Sequence, residues 1–160
     1  MDFKNIVSKQ LLLDAEIKKV HQQKNENYNN QLLIALFVEV GELANEIQSF
    51  KYWKKSKNIN NEKLLEEYAD GIHFLISFAL KHKCKLNIEP KIISQDINVQ
   101  FLNLFNLINK MSQKQTKCII EKTIAVYLGI AKLLEISDEQ IENAYFLKNQ
   151  INFERIKNNY

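Results

Sequence analysis

Three glycines and one proline in 160 residues leave this chain little with which to break a helix. Glycine supplies the left-handed backbone of tight turns and proline interrupts hydrogen-bond ladders, and an all-β protein needs many such points. The expected architecture is therefore all-α, with long helices separated by short polar breaks. A chain of this length can bury most of its apolar surface around a single core, so one domain spanning 1–160 is expected. A hydrophobic content of 46% and a charged content of 26% disfavour disordered and membrane classes. The formal charge of +3 is spread through interspersed lysines and acids, which gives no basic face and no reason to expect direct nucleic-acid binding.

Apolar residues at helical spacing divide the chain into six segments. Phe3, Ile6, Val7, Leu11, Leu13, Ile17 and Val20 mark a first helix over about 3–20, and a polar stretch from Gln22 to Asn30 ends it. A strongly apolar segment follows from about Gln31 to Trp53, then a basic break over Lys54–Asn61, then helical spacing again from Glu62 to about Cys84. Beyond Pro90, Ile93–Met111 and Thr116–Ile136 read as an antiparallel pair. Ser137 followed three residues on by Gln140 has capping-box spacing and announces a last helix over about 138–156. Cys84 and Cys118 lack any CxxC spacing and are expected to be reduced core thiols. The longest uninterrupted apolar run, Leu32–Val38, falls well short of the about 20 residues that span a bilayer, and no signal-peptide pattern is present. A cytoplasmic location is the expectation.

Chemistry enters with the acids. Glu39, Glu42 and Glu46 stand at i, i+3 and i+7 on one face of the second helix, and Glu67 and Asp70 share the i, i+3 relation on the third. Such spacing also describes an ordinary solvated face. Here, however, Glu39 and Glu42 interrupt a segment apolar nearly all round, Asp70 opens another, and neither segment carries a Lys or Arg close by. Burying an ionised carboxylate is costly unless it is paired or coordinates a cation. Four carboxylates from two helices, without His or Cys at ligand spacing, suit Mg²⁺ or Mn²⁺ rather than Zn²⁺. Magnesium held in this way serves phosphate chemistry, so a phosphohydrolase is expected. Carboxylates hydrogen-bonded to neighbouring helices remain the alternative.

The strings that carry these acids resemble a known family. Glu39-Val-Gly-Glu42 with Glu67-Tyr-Ala-Asp70 is similar to the ExxE and ExxD pair of the all-α, MazG-like NTP pyrophosphohydrolases. The longer strings EVGELANEIQSFKYWK (39–54) and EEYADGIHFLISF (66–78), with AYFLKNQINFERIKNNY (144–160), resemble the dimeric dUTPase branch of that superfamily. The resemblance implies a homodimer whose four-helix core carries the metal site, with Glu39, Glu42, Glu67 and Asp70 as magnesium ligands and Glu42 also positioning the attacking water. It further implies that Trp53 stacks on uracil, that His73 and Gln10 belong to the nucleoside pocket, and that Lys148, Asn149, Asn152 and Arg155 bind phosphate. Residue by residue, Trp53 is equally readable as a core anchor, His73 as a satisfied core histidine, and the last helix as a solvated one.

The implied reaction is Mg-assisted hydrolysis of dUTP to dUMP and pyrophosphate, with dUDP open as a second substrate. Two other readings stay open: a pyrophosphohydrolase for dCTP or a broad set of house-cleaning nucleotides, and a helical protein-binding regulator that kept the fold. The stretch from Leu86 to about Glu135 carries no motif of the family.

Overall fold

The computed structural model describes residues 1–21 and 28–158. Six helices make up the described chain: α1 (Lys4–His21), α2 (Tyr28–Ile47), α3 (Asn61–Lys81), α4 (Ile97–Gln113), α5 (Lys117–Leu133) and α6 (Asp138–Lys157). Most of the polar break expected over Gln22–Asn30, namely 22–27, lies outside the described residues, while Tyr28 to Asn30 form the first turn of α2. Among the described residues β-pairing is limited to a single bridge between Asp2 and Asn87, and no helix is long and apolar enough to cross a membrane.

Local chemistry sets the ends. Asn60, Asp96 and Thr116 cap α3, α4 and α5, each accepting from a backbone N–H of the first turn, and Ser137 with Gln140 closes the expected capping box on α6. A cap of this kind contributes about 1 kcal/mol to its helix. Both α3 and α5 stop by the same device: Lys83 (φ 52°) and Glu135 (φ 58°) turn left-handed, and the amides of Cys84 and Ile136 reach back to the carbonyls of Ala79 and Ala131. Glycine usually fills that position, so these two side chains carry a backbone cost of about 1 kcal/mol each.

α2 ends six residues before Trp53 because Gln48 adopts φ 59°. Its side chain recovers part of that cost by tying the following loop, with Nε2 donating to the Asn58 carbonyl (3.1 Å) and Oε1 accepting from Lys54 (3.0 Å). α4 likewise begins at Ile97 rather than Ile93, since Ile92 and Ile93 lie exposed in the segment that leads to the Asp96 cap. Cys84 is buried as expected, but Cys118 is exposed on the first turn of α5.

α3 is the hub, packing against α1, α2, α5 and α6, while α4 pairs with α5 and also meets α2. The face of α1 that enters the core is Ile6, Gln10 and Leu13, with Phe3 just before the helix; Leu11, counted with the apolar set from spacing, is 53% exposed, and polar Gln10 takes the inward position. Two devices lock the α4–α5 pair to its surroundings. Tyr68 and Tyr127 each donate a hydroxyl to the other's carbonyl (3.1 and 2.8 Å), binding α3 to α5. Buried Gln100 donates to the carbonyls of Lys91 (2.9 Å) and Val126 (2.8 Å) and accepts from Ile93 N (2.8 Å), so its amide satisfies the loop and α5 together.

Candidate active site

The carboxylates converge as their spacing predicts. One oxygen each from Glu39, Glu67 and Asp70 lies within 4.8 Å of the other two. Glu42 stands at the exposed edge, outside that close group, and acts on Glu67 through its charge. Glu46, the next acid along α2, turns away to an ion pair with Lys63 (3.2 Å). α2 and α3 pack along their length, and this is what turns two i, i+3 patterns into one cluster.

Crowding has an electrostatic price. Burial, and then the negative charges of Asp70, Glu42 and Glu67, push Glu39 up to about 7. Burial, followed by Glu42 and Asp70, likewise pushes Glu67 up to about 7. Burial also raises Asp70, opposed by Lys148, whose ammonium lies 2.6 Å from Asp70 Oδ2. Lys148 bridges onward to Glu66 Oε1, also at 2.6 Å, and that contact holds Glu66 below its usual range. The sequence expectation that the acids have no cation nearby therefore holds only within the apolar segments around Glu39 and Glu42 and beyond Asp70. α6 delivers Lys148 from 78 positions beyond Asp70, a pairing visible only once α3 and α6 pack.

Beside the cluster opens a cavity of about 450 Å³, walled by α1, α2, α3 and α6. Glu39, Asp70, Lys148, Asn152 and Arg155 line one part of it, and Gln10, Asp14, His73, Phe74, Ser77 and Tyr28 another. Its volume is within the range of roughly 300–1,000 Å³ of small-molecule sites. The combination of a carboxylate group, cationic and amide donors, and a pocket with aromatic walls can hold a cation, phosphate oxygens and a ring.

Gln10 is engaged at every polar position. Nε2 donates to Asp14 Oδ1 (2.8 Å) and Ser77 Oγ (3.1 Å), and Oε1 accepts from the Tyr145 hydroxyl (2.7 Å) and lies 2.9 Å from His73 Nδ1. With Oε1 as acceptor, the His73 proton belongs on Nδ1. Burial lowers His73 to about 3, so the ring is neutral, and it stacks on Tyr145 with centroids 4.1 Å apart. Its Nε2 and the Nδ2 of Asn149 are buried without hydrogen-bond partners. Unpartnered buried polar atoms are uncommon, and beside a cavity they leave hydrogen-bonding capacity that a ligand or a water can complete.

Of the residues expected from sequence, Glu39, Glu67 and Asp70 come together, with Glu42 beside them, and Gln10, His73, Lys148, Asn152 and Arg155 line the adjoining cavity. Asn149 is buried on the same helix. Trp53 is not brought in. It is 60% exposed and packs edge-on against Phe50 and Tyr52, centroids 6.0 and 5.1 Å away, in the loop that Gln48 begins. Sequence reasoning passed over Ser77, Tyr145 and Glu66. Ser77, at i+4 from His73, had a usable signal in that spacing; Tyr145 and Glu66 take their roles from contacts between α6 and the other helices.

One family model, described as dUTPase, matches residues 2–160 of the chain. No curated protein matches it.

Proposed function

The chain belongs to the dUTPase family, whose activity is that of a dUTP diphosphatase, and from that premise we propose how its residues divide the work. Glu39, Glu67 and Asp70 hold Mg²⁺, or Mn²⁺ in its place. Their close approach supports this: three oxygens within 4.8 Å, with two of the carboxyls pushed up to about 7, form a site short of positive charge, and an all-carboxylate donor set fits a hard cation. A bound divalent ion neutralises triphosphate charge and lowers the pKa of water. Glu42, at the exposed edge of the cluster, orients that water and accepts its proton. Lys148, Asn149, Asn152 and Arg155 engage phosphate oxygens from α6, where charge-assisted bonds are strong.

The base occupies the part of the cavity lined by Gln10, His73 and Phe74. Gln10 has no donor or acceptor to spare, so its contribution is to hold the His73 ring, while His73 Nε2 is left to accept from the base. The uracil imide N–H is a donor of the required kind, and cytosine offers a lone pair at that atom. Cytosine could meet Nε2 only through its exocyclic amino group, from a different position, so an acceptor placed for the imide N–H supports dUTP over dCTP. A homodimer is part of the reading, with exposed Phe50, Tyr52 and Trp53 available as apolar surface; a stacking role for Trp53 requires the base to be reached across that contact. Cytoplasmic nucleotide pools are the proposed setting.

The test is magnesium-dependent pyrophosphate release from dUTP, dCTP, dTTP and the ribonucleotides, with Glu42→Gln as control. Preference for dUTP that is lost in the variant supports the reading. Comparable turnover of dCTP or of many nucleotides overturns the base assignment in favour of house-cleaning. Release that persists in chelator overturns the metal assignment, and release that persists in Glu42→Gln overturns the role given to Glu42.

A further inference from the structure

Lys148 meets two carboxylates of different standing. Asp70, 12% exposed at its side chain, belongs to the close group with Glu39 and Glu67; Glu66, 47% exposed, lies outside it. The two are one turn apart on α3, and the ammonium sits 2.6 Å from an oxygen of each. Lys148 itself is 9% exposed at its side chain, so an ammonium deprived of both partners would be poorly solvated where it stands. An ammonium on Asp70 also opposes any divalent cation drawn to the same carboxylate.

We propose that Glu66 is a positioning residue: it keeps Lys148 at the rim of the carboxylate cluster when Asp70 exchanges the lysine for a divalent cation. Lys148 then leaves one partner without losing both, and remains where a nucleotide phosphate enters. The pairing observed here is the resting arrangement of an internal counter-cation. Glu66 lowers the cost of displacing it, and thereby raises metal affinity, without touching the metal. This rests on the metal-binding reading above.

Mn²⁺ binding to the full chain without nucleotide, followed by calorimetry and by the loss of the free-ion paramagnetic resonance signal, tests the exchange. Lys148→Met is expected to bind Mn²⁺ more tightly than the unmodified chain and Glu66→Gln more weakly, each by roughly five- to tenfold. Long-range charge attraction alone gives the same two directions, so the double variant decides. If Glu66 acts through Lys148, Glu66→Gln changes nothing once residue 148 is Met; if it acts through space, it costs the same in both backgrounds, and the proposal is overturned. Lys148→Gln serves the same cycle should Lys148→Met fail to fold. Unchanged affinity in the single variants also overturns the proposal while leaving the metal reading intact. An unmodified chain that takes up no Mn²⁺ removes both.

Discussion

Buried polar side chains do opposite work in the two halves of this molecule. In the α4–α5 half and at its seam with α3, Gln100 spends its whole amide on neighbouring backbone, and the hydroxyls of Tyr68 on α3 and Tyr127 on α5 each meet the other's carbonyl. Nothing is left over. In the half built from α1, α2, α3 and α6, burial and then the charge of neighbouring carboxylates push Glu39 and Glu67 up to about 7, and His73 Nε2 and Asn149 Nδ2 lack partners. Satisfied polar groups specify a fold; unsatisfied ones raise its energy until a ligand arrives. The contrast separates stability from function within one core.

The largest expected effect breaks that contrast on the functional side. Asp70→Asn should reduce kcat/KM for dUTP on the order of a thousandfold, by loss of a ligand carboxylate, while the melting temperature without metal changes little. A fall in stability to match the fall in activity would erase the division. Gln100→Ala is the mirror experiment. Orphaning the carbonyls of Lys91 and Val126 and the amide of Ile93 should cost about 2–4 kcal/mol in denaturant unfolding, with Mn²⁺ affinity of the folded fraction unchanged.

Proton linkage sharpens the comparison further. Glu39 and Glu67 are raised in the folded chain, so their protonated forms favour folding below the ordinary glutamate range, and that contribution is lost as pH rises through about 7. In metal-free protein, Glu39→Gln should flatten the fall in melting temperature between pH 5 and about 7.5, whereas Gln100→Ala should shift the whole curve downward without changing its slope. Magnesium should help most at the alkaline end, where both carboxyls are ionised. The smallest effect concerns neither half's polar network: Lys83→Gly should stabilise the chain by up to about 1 kcal/mol, because glycine adopts the left-handed backbone without strain. No gain in thermal unfolding would argue against strain at that turn.

What could be read in advance followed what is periodic. Six helices were legible because apolar residues recur at helical spacing with few breakers between them, and Glu39, Glu67 and Asp70 because acids one turn apart share a face. Local exceptions were not. A non-glycine Gln48 at positive φ ends α2 early and leaves Trp53 in an exposed loop, and apolar spacing pointed to Leu11, which faces out, while Gln10, the inward residue of that turn, was marked only by the family resemblance. Pairings across the chain were also out of reach: Lys148 reaches Asp70 and Glu66, and Tyr145 reaches Gln10, only after α6 has docked. No spacing within a single helix encodes such contacts.

The Tyr127 hydroxyl lies 2.2 Å from where a Cβ on Gly71 would stand, and Gly71 directly follows Asp70. The helix pair that carries no chemistry thus serves as a gauge block for the one that does: the thickness of a single methyl group decides how closely α3 seats on α5. A chain with alanine at 71 would need a smaller residue at 127, and such a paired exchange would also give up the hydroxyl that Tyr68 receives. The two positions are therefore free to change only in concert, and a scan of single substitutions would register as intolerance at Gly71 a constraint that α5 imposes.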